Sequence, residues 1–262
     1  MDMLQYAGYI FDLDGTIYLG DKLIPGAKEA IARLRSLGKK IVFISNKPLQ
    51  TRRDYADKLS RLGISTKPDE VINSSWVMAR WLSSRAFGAT LFIIGEPPLV
   101  GEMIDAGFSI SEDPNKIEYV IASFDRTFDY RKLNIALQAI RKGAHFLATN
   151  PDRTCPVEEG EIPDCAAIIG AVEGATGKKV ETIVGKPSEI MMQVTLETMA
   201  LPPPSCLIVG DRLETDIVMG KKVGMATALV LTGVTSQENL DRSTIRPDYV
   251  WPSIAEILKD EN

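Results

Sequence analysis

Histidine and cysteine are scarce in this chain, with one His and three Cys among 262 residues. Cys155, Cys165 and Cys206 form an odd set with no Cys-x-x-Cys spacing. That excludes a disulfide framework and a thiolate zinc site, and it fits a reducing cytosol. Cys206 opens an apolar run and reads as a small core residue. His145 begins an apolar strand, which marks it as a packed or surface strand residue rather than a catalyst. No apolar run approaches the length of a bilayer span, and the N-terminus has no basic stretch followed by an apolar one. No membrane segment or signal peptide is therefore expected, and the location is expected to be cytoplasmic. There is no stripe of Lys and Arg either. The basic pairs at 39–40, 52–53, 178–179 and 221–222 are scattered and the net charge is −5, so nucleic-acid binding has no electrostatic basis.

What the chain does have is an ordinary globular composition, 45% hydrophobic and 25% charged. Its length suits one large or two modest domains. Strand-like and helix-like segments alternate throughout, the pattern of an α/β fold. Apolar strands are expected at 7–13 and 39–45, with helices from about 25 to 37 and 51 to 62, each closed by a glycine. The alternation then restarts on its own. Strands at 90–94, 119–123 and 145–149 are interleaved with helices at 98–105, 130–141 and 166–176. After Gly177 come strands at 180–184, 206–210 and 226–231, helices at 188–200 and 213–223, and a last helix at 253–259. An independent α/β block between two halves reads as an insertion. The expected core is 1–79 and 181–262, with an inserted domain at 80–180. Trp76 and Trp81 sit near the first crossing and are expected to pack between elements, as is Trp251 under the last helix.

The most informative stretch is Gly-Tyr-Ile-Phe-Asp-Leu-Asp-Gly-Thr at residues 8–16. In an extended segment the side chains at i and i+2 share a face. Asp12 and Asp14 can then approach one reaction centre from the carboxyl end of a strand, where open α/β sheets bind ligands. Two such charges need a cation or a shared proton. The natural reading is a nucleophilic carboxylate and an acid/base carboxylate around a metal ion. A calcium loop would carry Glu at its twelfth position, where this chain has Leu23. A purely structural turn remains the competing reading.

Three further motifs point to the same edge. Ser45-Asn46 ends a strand, and its hydroxyl and backbone donors suit a phosphate oxygen, although the pair also fits a loop start or helix cap. Lys186, in Gly-Lys-Pro-Ser ahead of a helix, can reach inward as a point charge, or lie on the surface as most lysines do. Asp211 ends the run Cys-Leu-Ile-Val-Gly-Asp, and Asp216 follows in the first turn of the next helix. Both suit a hard cation, while Asp211 also fits a helix N-cap. With adjacent strands, Asp12, Asp14, Asp211 and Asp216 would make a four-acid cluster needing magnesium and a lysine for charge balance.

Taken in order, these motifs resemble the haloacid dehalogenase-like superfamily. Asp14, two residues after Asp12, resembles its phosphatase branch, and the insertion between Ser45 and Lys186 resembles the class with a type 2 cap. Leu-Ile-Pro-Gly-Ala at 23–27, Thr-Asn-Pro-Asp at 149–152 and Val-Gly-Lys-Pro at 184–187 look like the NagD-type phosphatases. That group includes p-nitrophenyl, AraL-type sugar and pyridoxal phosphatases. The resemblance implies a Rossmann-like doubly wound parallel core with an α/β cap. It implies that Asp12 forms an aspartyl-phosphate and that Asp14 protonates the leaving alcohol and then activates water. Magnesium would lie between Asp12, the Asp14 carbonyl and Asp211, with Asp216 positioning a ligand or water. Ser45, Asn46 and Lys186 would hold the phosphoryl oxygens.

Substrate selection falls to the cap. The 150–165 loop offers Asn150, Asp152, Arg153, Glu158, Glu159 and Asp164, and no aromatic ring for stacking a base. Pro-Asp-Cys-Ala at 163–166 is closer to the AraL-type pattern, which points to a hydroxyl-rich leaving group and makes Asp164 a candidate contact. A solvated loop acid is the alternative. The expected substrate is a small phosphorylated metabolite, foremost a sugar phosphate. The competing readings are a nucleotide (UMP-like) or pyridoxal phosphate phosphatase, a phosphotransferase, and a non-catalytic phosphate-ligand sensor. Caps of this family can mediate homodimers, but no apolar stripe marks an interface.

Overall fold

The computed structural model describes residues 4–157 and 160–259. It is mixed α/β and divides into two compact units: residues 1–45, 52–72 and 186–262, and residues 46–51 and 73–185.

The first unit is built on a six-stranded sheet. In chain order its strands are Gly8–Asp12, Lys40–Ser45, Val71–Asn73, Cys206–Gly210, Ala226–Val230 and Tyr249–Trp251. Across the sheet they lie in the order 3-2-1-4-5-6, that of a doubly wound Rossmann-like fold. Gly8–Asp12 pairs in parallel with Cys206–Gly210 on one side, Phe11 opposite Val209, and with Lys40–Ser45 on the other, Asp12 opposite Ile44. Every residue of Gly8–Asp12 is buried, as expected for a central strand covered on both faces. Tyr9, Phe11 and Phe43 form a run of ring contacts within that core, with centroids 6.2 Å apart at each step. Helix Ala27–Ser36 turns Ala27, Ala30, Ile31 and Leu34 onto the sheet, the i, i+3, i+4, i+7 face of an amphipathic helix. It stops at Gly38, whose φ of 69° suits glycine.

The second unit has its own five-stranded parallel sheet and its own core around Phe92, Val120, Phe146 and Ile168. Its strands in chain order are Thr90–Ile94, Ser109–Ile110, Tyr119–Ala122, His145–Ala148 and Thr182–Ile183, arranged 2-1-3-4-5.

Several elements differ from the sequence expectation. Thr182–Ile183 does not open the second half of the core but pairs with His145–Ala148 and completes the second sheet. Helix Ser74–Ala86 runs across the boundary expected between 79 and 80 and belongs wholly to the second unit. The 150–165 stretch is no open loop: Thr154–Val157 and Gly160–Pro163 form an antiparallel hairpin. Glu158 and Glu159 lie outside the described residues. The expected helix 213–223 is a π-helical turn, Leu213–Ile217, followed by a short α-helix, Val218–Lys222. The last helix is a 3-10 segment, Ile254–Lys259, and Trp251 is buried beside it in the core. Trp76 and Trp81 are half-buried, with Arg80 and Arg85 stacked over their respective rings. Exposed His145 stacks on Tyr119 and bonds Glu181 at 2.8 Å.

Candidate active site

In a doubly wound sheet the chain leaves strand 1 and strand 4 toward opposite sides, which opens a crevice at their carboxyl ends. Here those strands are Gly8–Asp12 and Cys206–Gly210, so Asp12 and Asp211 stand at that edge. Lys186 Nζ joins the group, 2.5 Å from Asp12 Oδ1 and 2.8 Å from Asp216 Oδ1, with all three side chains buried. The carboxylates of Asp12, Asp211 and Asp216 can place one oxygen each within 4.8 Å of one another.

Local sequence explains how the acids come together. Gly210 cannot carry a side chain, because a Cβ there would lie 2.3 Å from Asp216 Cγ. The wide π-helical turn brings Asp216 back onto the strand end, where its Oδ2 accepts the Arg212 N–H at 3.2 Å. Gly15 has φ of +83° and a Cβ there would meet Asp211 Oδ2 at 2.5 Å, so both the turn and the close approach require glycine.

Charge in this cluster is unbalanced. Three carboxylates face one ammonium, an excess of two negative charges if all are ionised. Burial, with Asp12 and Asp216 beside it, pushes the Asp211 carboxyl up to about 8. Burial likewise raises Asp216, to about 6, against the pull of Lys186. Burial alone would lower Lys186, but Asp12 and Asp216 outweigh it and hold the ammonium above its ordinary value. Asp211 Oδ1 is buried with no hydrogen-bond partner. An orphaned carboxylate oxygen in an all-oxygen acidic cluster two charges short is the donor set of a hard divalent cation such as magnesium. The residues present therefore fit that ion.

Among the described residues, the carboxylates that can bring one oxygen each within 4.8 Å of one another are those of Asp12, Asp211 and Asp216, three where the expected cluster had four with Asp14. The strand ends at Asp12, and the Leu13 carbonyl then accepts from the N–H groups of Thr16, Ile17 and Tyr18. Strand alternation stops governing the chain one residue before Asp14. Its side chain is half-buried, and a bridge ties Asp14 to Tyr18.

Ser45 ends the strand next to Gly8–Asp12, one residue past the partner of Asp12, and its Oγ lies 3.5 Å from the Tyr55 hydroxyl. Asn46 falls with the second unit, where its Nδ2 donates to Asp152 Oδ2 at 2.9 Å. Asn150 Nδ2 donates to the same oxygen at 3.0 Å and to Asp164 Oδ1 at 3.1 Å. Asp164, weighed as a substrate contact or a solvated loop acid, is buried rather than solvated: it is the N-cap of helix Cys165–Thr176, with Oδ1 accepting the Cys165 N–H. Asn150 is fully buried and Asp152 half-buried, while Arg153 is exposed.

The sequence reading missed the buried hydroxyls of Thr16 and Thr215, neither of which has a hydrogen-bond partner. It also missed the segment after strand Ala226–Val230, whose Val234 N–H donates to Asp211 Oδ2 at 2.6 Å. The one signal available was a Thr-Gly turn following a buried strand.

The haloacid dehalogenase-like hydrolase family matches residues 9–109, and a second family described as HAD-hydrolase-like matches residues 183–257. The sugar-phosphatase AraL of Bacillus subtilis is 41% identical over 253 residues, 97% of this chain and 92% of that protein. Among solved structures, a p-nitrophenyl phosphatase from Archaeoglobus fulgidus superposes with a TM-score of 0.93 at 37% identity, covering 97% of this chain and 99% of that one. NagD of E. coli superposes at 0.88 and 31% identity, covering 96% and 98%.

Proposed function

The chain belongs to the haloacid dehalogenase-like hydrolases and is a phosphatase of the NagD type, and on that footing we propose that it is a magnesium-dependent phosphomonoester hydrolase acting on sugar phosphates through an aspartyl-phosphate. The observation that carries the reading is the cluster of Asp12, Lys186, Asp211 and Asp216 at the switch point of the core sheet.

In the proposed reaction a carboxylate oxygen of Asp12 attacks phosphorus in line, and the bond from phosphorus to the leaving oxygen breaks. Asp14 gives its proton to that oxygen, so a neutral alcohol departs. Asp14, now a base, takes a proton from water. The hydroxide attacks phosphorus, phosphate is released and the Asp12 carboxylate is restored. Lys186, with Ser45 and Asn46, holds the phosphoryl oxygens, and its ammonium lets the anionic phosphate approach an anionic nucleophile. Asp12, the Asp14 carbonyl and Asp211 would hold a magnesium ion, with Asp216 positioning a ligand or water, and the ion would supply further neutralisation of the phosphoryl charge.

Leaving-group selection is assigned to the inserted second unit, whose main segment runs from 73 to 185. Of Asn150, Asp152, Arg153 and Asp164, Arg153 has the exposed side chain, whereas Asn150 and Asp164 are committed to internal hydrogen bonds. The sugar-phosphate preference draws support from the relative named a sugar-phosphatase and from the absence of aromatic residues in 150–165.

The test is phosphate release, with and without magnesium, across sugar phosphates, nucleotides, pyridoxal phosphate, phosphoglycolate and p-nitrophenyl phosphate. Magnesium-dependent release strongest on sugar phosphates is expected, with Asp12→Asn inactive and still folded by circular dichroism. A sharp preference for a nucleotide or pyridoxal phosphate overturns the sugar assignment alone. No release from folded, magnesium-supplemented protein overturns the hydrolase reading.

A further inference from the structure

The segment 232–235 is tied to both loops that carry the acids. Thr232 Oγ1 donates to the Gly15 carbonyl at 2.6 Å, on the turn that holds Asp14. Val234 N–H donates to Asp211 Oδ2 at 2.6 Å, and Thr235 N–H donates to the Asp211 carbonyl at 3.1 Å. Glycines close on the same oxygen. A Cβ at Gly233 would lie 1.9 Å from Asp211 Oδ2, and one at Gly15 would lie 2.5 Å from it and 2.9 Å from Gly233 Cα. One oxygen of Asp211 is thus gripped by a backbone amide between two glycines. The other, Oδ1, is buried and has no partner.

A carboxylate left to rotate would share its two oxygens between any donors in reach and would have to be ordered when a cation arrives. A carboxylate with one oxygen already anchored presents the other at no further conformational cost. We propose that Thr232, Gly233 and Val234 form a brace that sets Asp211 with Oδ1 toward the divalent cation and locks the Asp14–Gly15 turn against it. These are positioning residues, since they act through Asp211 and Gly15. The inference rests on the reading that Asp211 holds a magnesium ion.

The experiment is calorimetric titration of magnesium alone into the metal-free full chain. Wild type is compared with Thr232→Val, Thr232→Ser and Gly233→Ala, and each is checked by circular dichroism and metal-free melting. Thr232→Val removes the donor at nearly constant volume, Thr232→Ser keeps it, and Gly233→Ala drives a methyl into Asp211 Oδ2. Thr232→Val and Gly233→Ala are expected to bind magnesium about tenfold more weakly or worse, and Thr232→Ser close to wild type. If Gly233→Ala fails to fold, the two Thr232 variants decide. Wild-type affinity in folded Thr232→Val overturns the brace and leaves the cation reading standing, even if the variant melts earlier. Equal losses in Thr232→Val and Thr232→Ser overturn the assignment to the hydroxyl. A wild type that takes up no magnesium overturns the cation reading and the brace together.

Discussion

Lys186 is the residue on which the charge balance of the site turns. Its ammonium bonds two buried carboxylates, Asp12 and Asp216. Replacing it with Met keeps the bulk but leaves both acids without their counter-ion. Breaking such a buried pair costs about 3 kcal/mol or more. Metal-free Lys186→Met is therefore expected to unfold earlier in denaturant by that amount, and added magnesium should recover part of the loss. Asp211 makes the second prediction. Its folded value is raised from the ordinary 3.8 to about 8. The folded chain thus keeps a proton that the unfolded chain releases. The stability this contributes is fully present below pH 3.8 and is lost as pH rises through about 8. Magnesium competes with that proton, so its stabilising effect should be larger at about pH 9 than at about pH 6. Thermal melts with and without magnesium at both pH values check this. An equal shift at both would remove Asp211 from the cation site.

At the scale of elements, the hydrogen bonds of Asp164 make it a structural group. It caps helix Cys165–Thr176 and accepts from Asn150, and Asn150 also bonds Asp152. Asp164→Ala is expected to lower stability by about 1 kcal/mol, the usual loss for an N-cap, while Asp164→Asn keeps the acceptor and most of the stability. Chemical denaturation measures both. A change in substrate preference for Asp164→Ala at unchanged stability would restore the loop-contact reading. The elements legible in sequence were those with long local signals. The buried strands at 8–12, 40–45 and 206–210 are continuous apolar runs, and the helices at 27–36 and 130–141 carry a clean apolar face. The two-residue strands Ser109–Ile110 and Thr182–Ile183 have no period to read. Only their pairing partners define them.

At the scale of the whole molecule, each unit buries its own apolar cluster and closes its own sheet. Phe146 is buried at the centre of the second cluster, and Phe146→Ala should cost about 3 kcal/mol there. Hydrogen exchange should show protection lost across strands Thr90–Ile94, Tyr119–Ala122 and His145–Ala148, with Gly8–Asp12 and Cys206–Gly210 unchanged. Equal loss in both units would mean that they unfold as one. Among the described residues, no helix is long and apolar enough to cross a membrane.

The sequence by itself determined the alternation of strands and helices, the phosphatase resemblance, and the positions of Asp12, Lys186, Asp211 and Asp216. Each rests on a local pattern: an apolar run, a glycine after a helix, an acid at a strand end. Tertiary structure decided which of those acids share one cluster, because that depends on how each chain segment leaves its strand. The π-helical turn after Asp211 brings Asp216 into one cluster with Asp12 and Asp211. It also decided that Asp164 caps a helix and that the 232–235 segment grips Asp211, since both depend on backbone amides that no side-chain pattern reports.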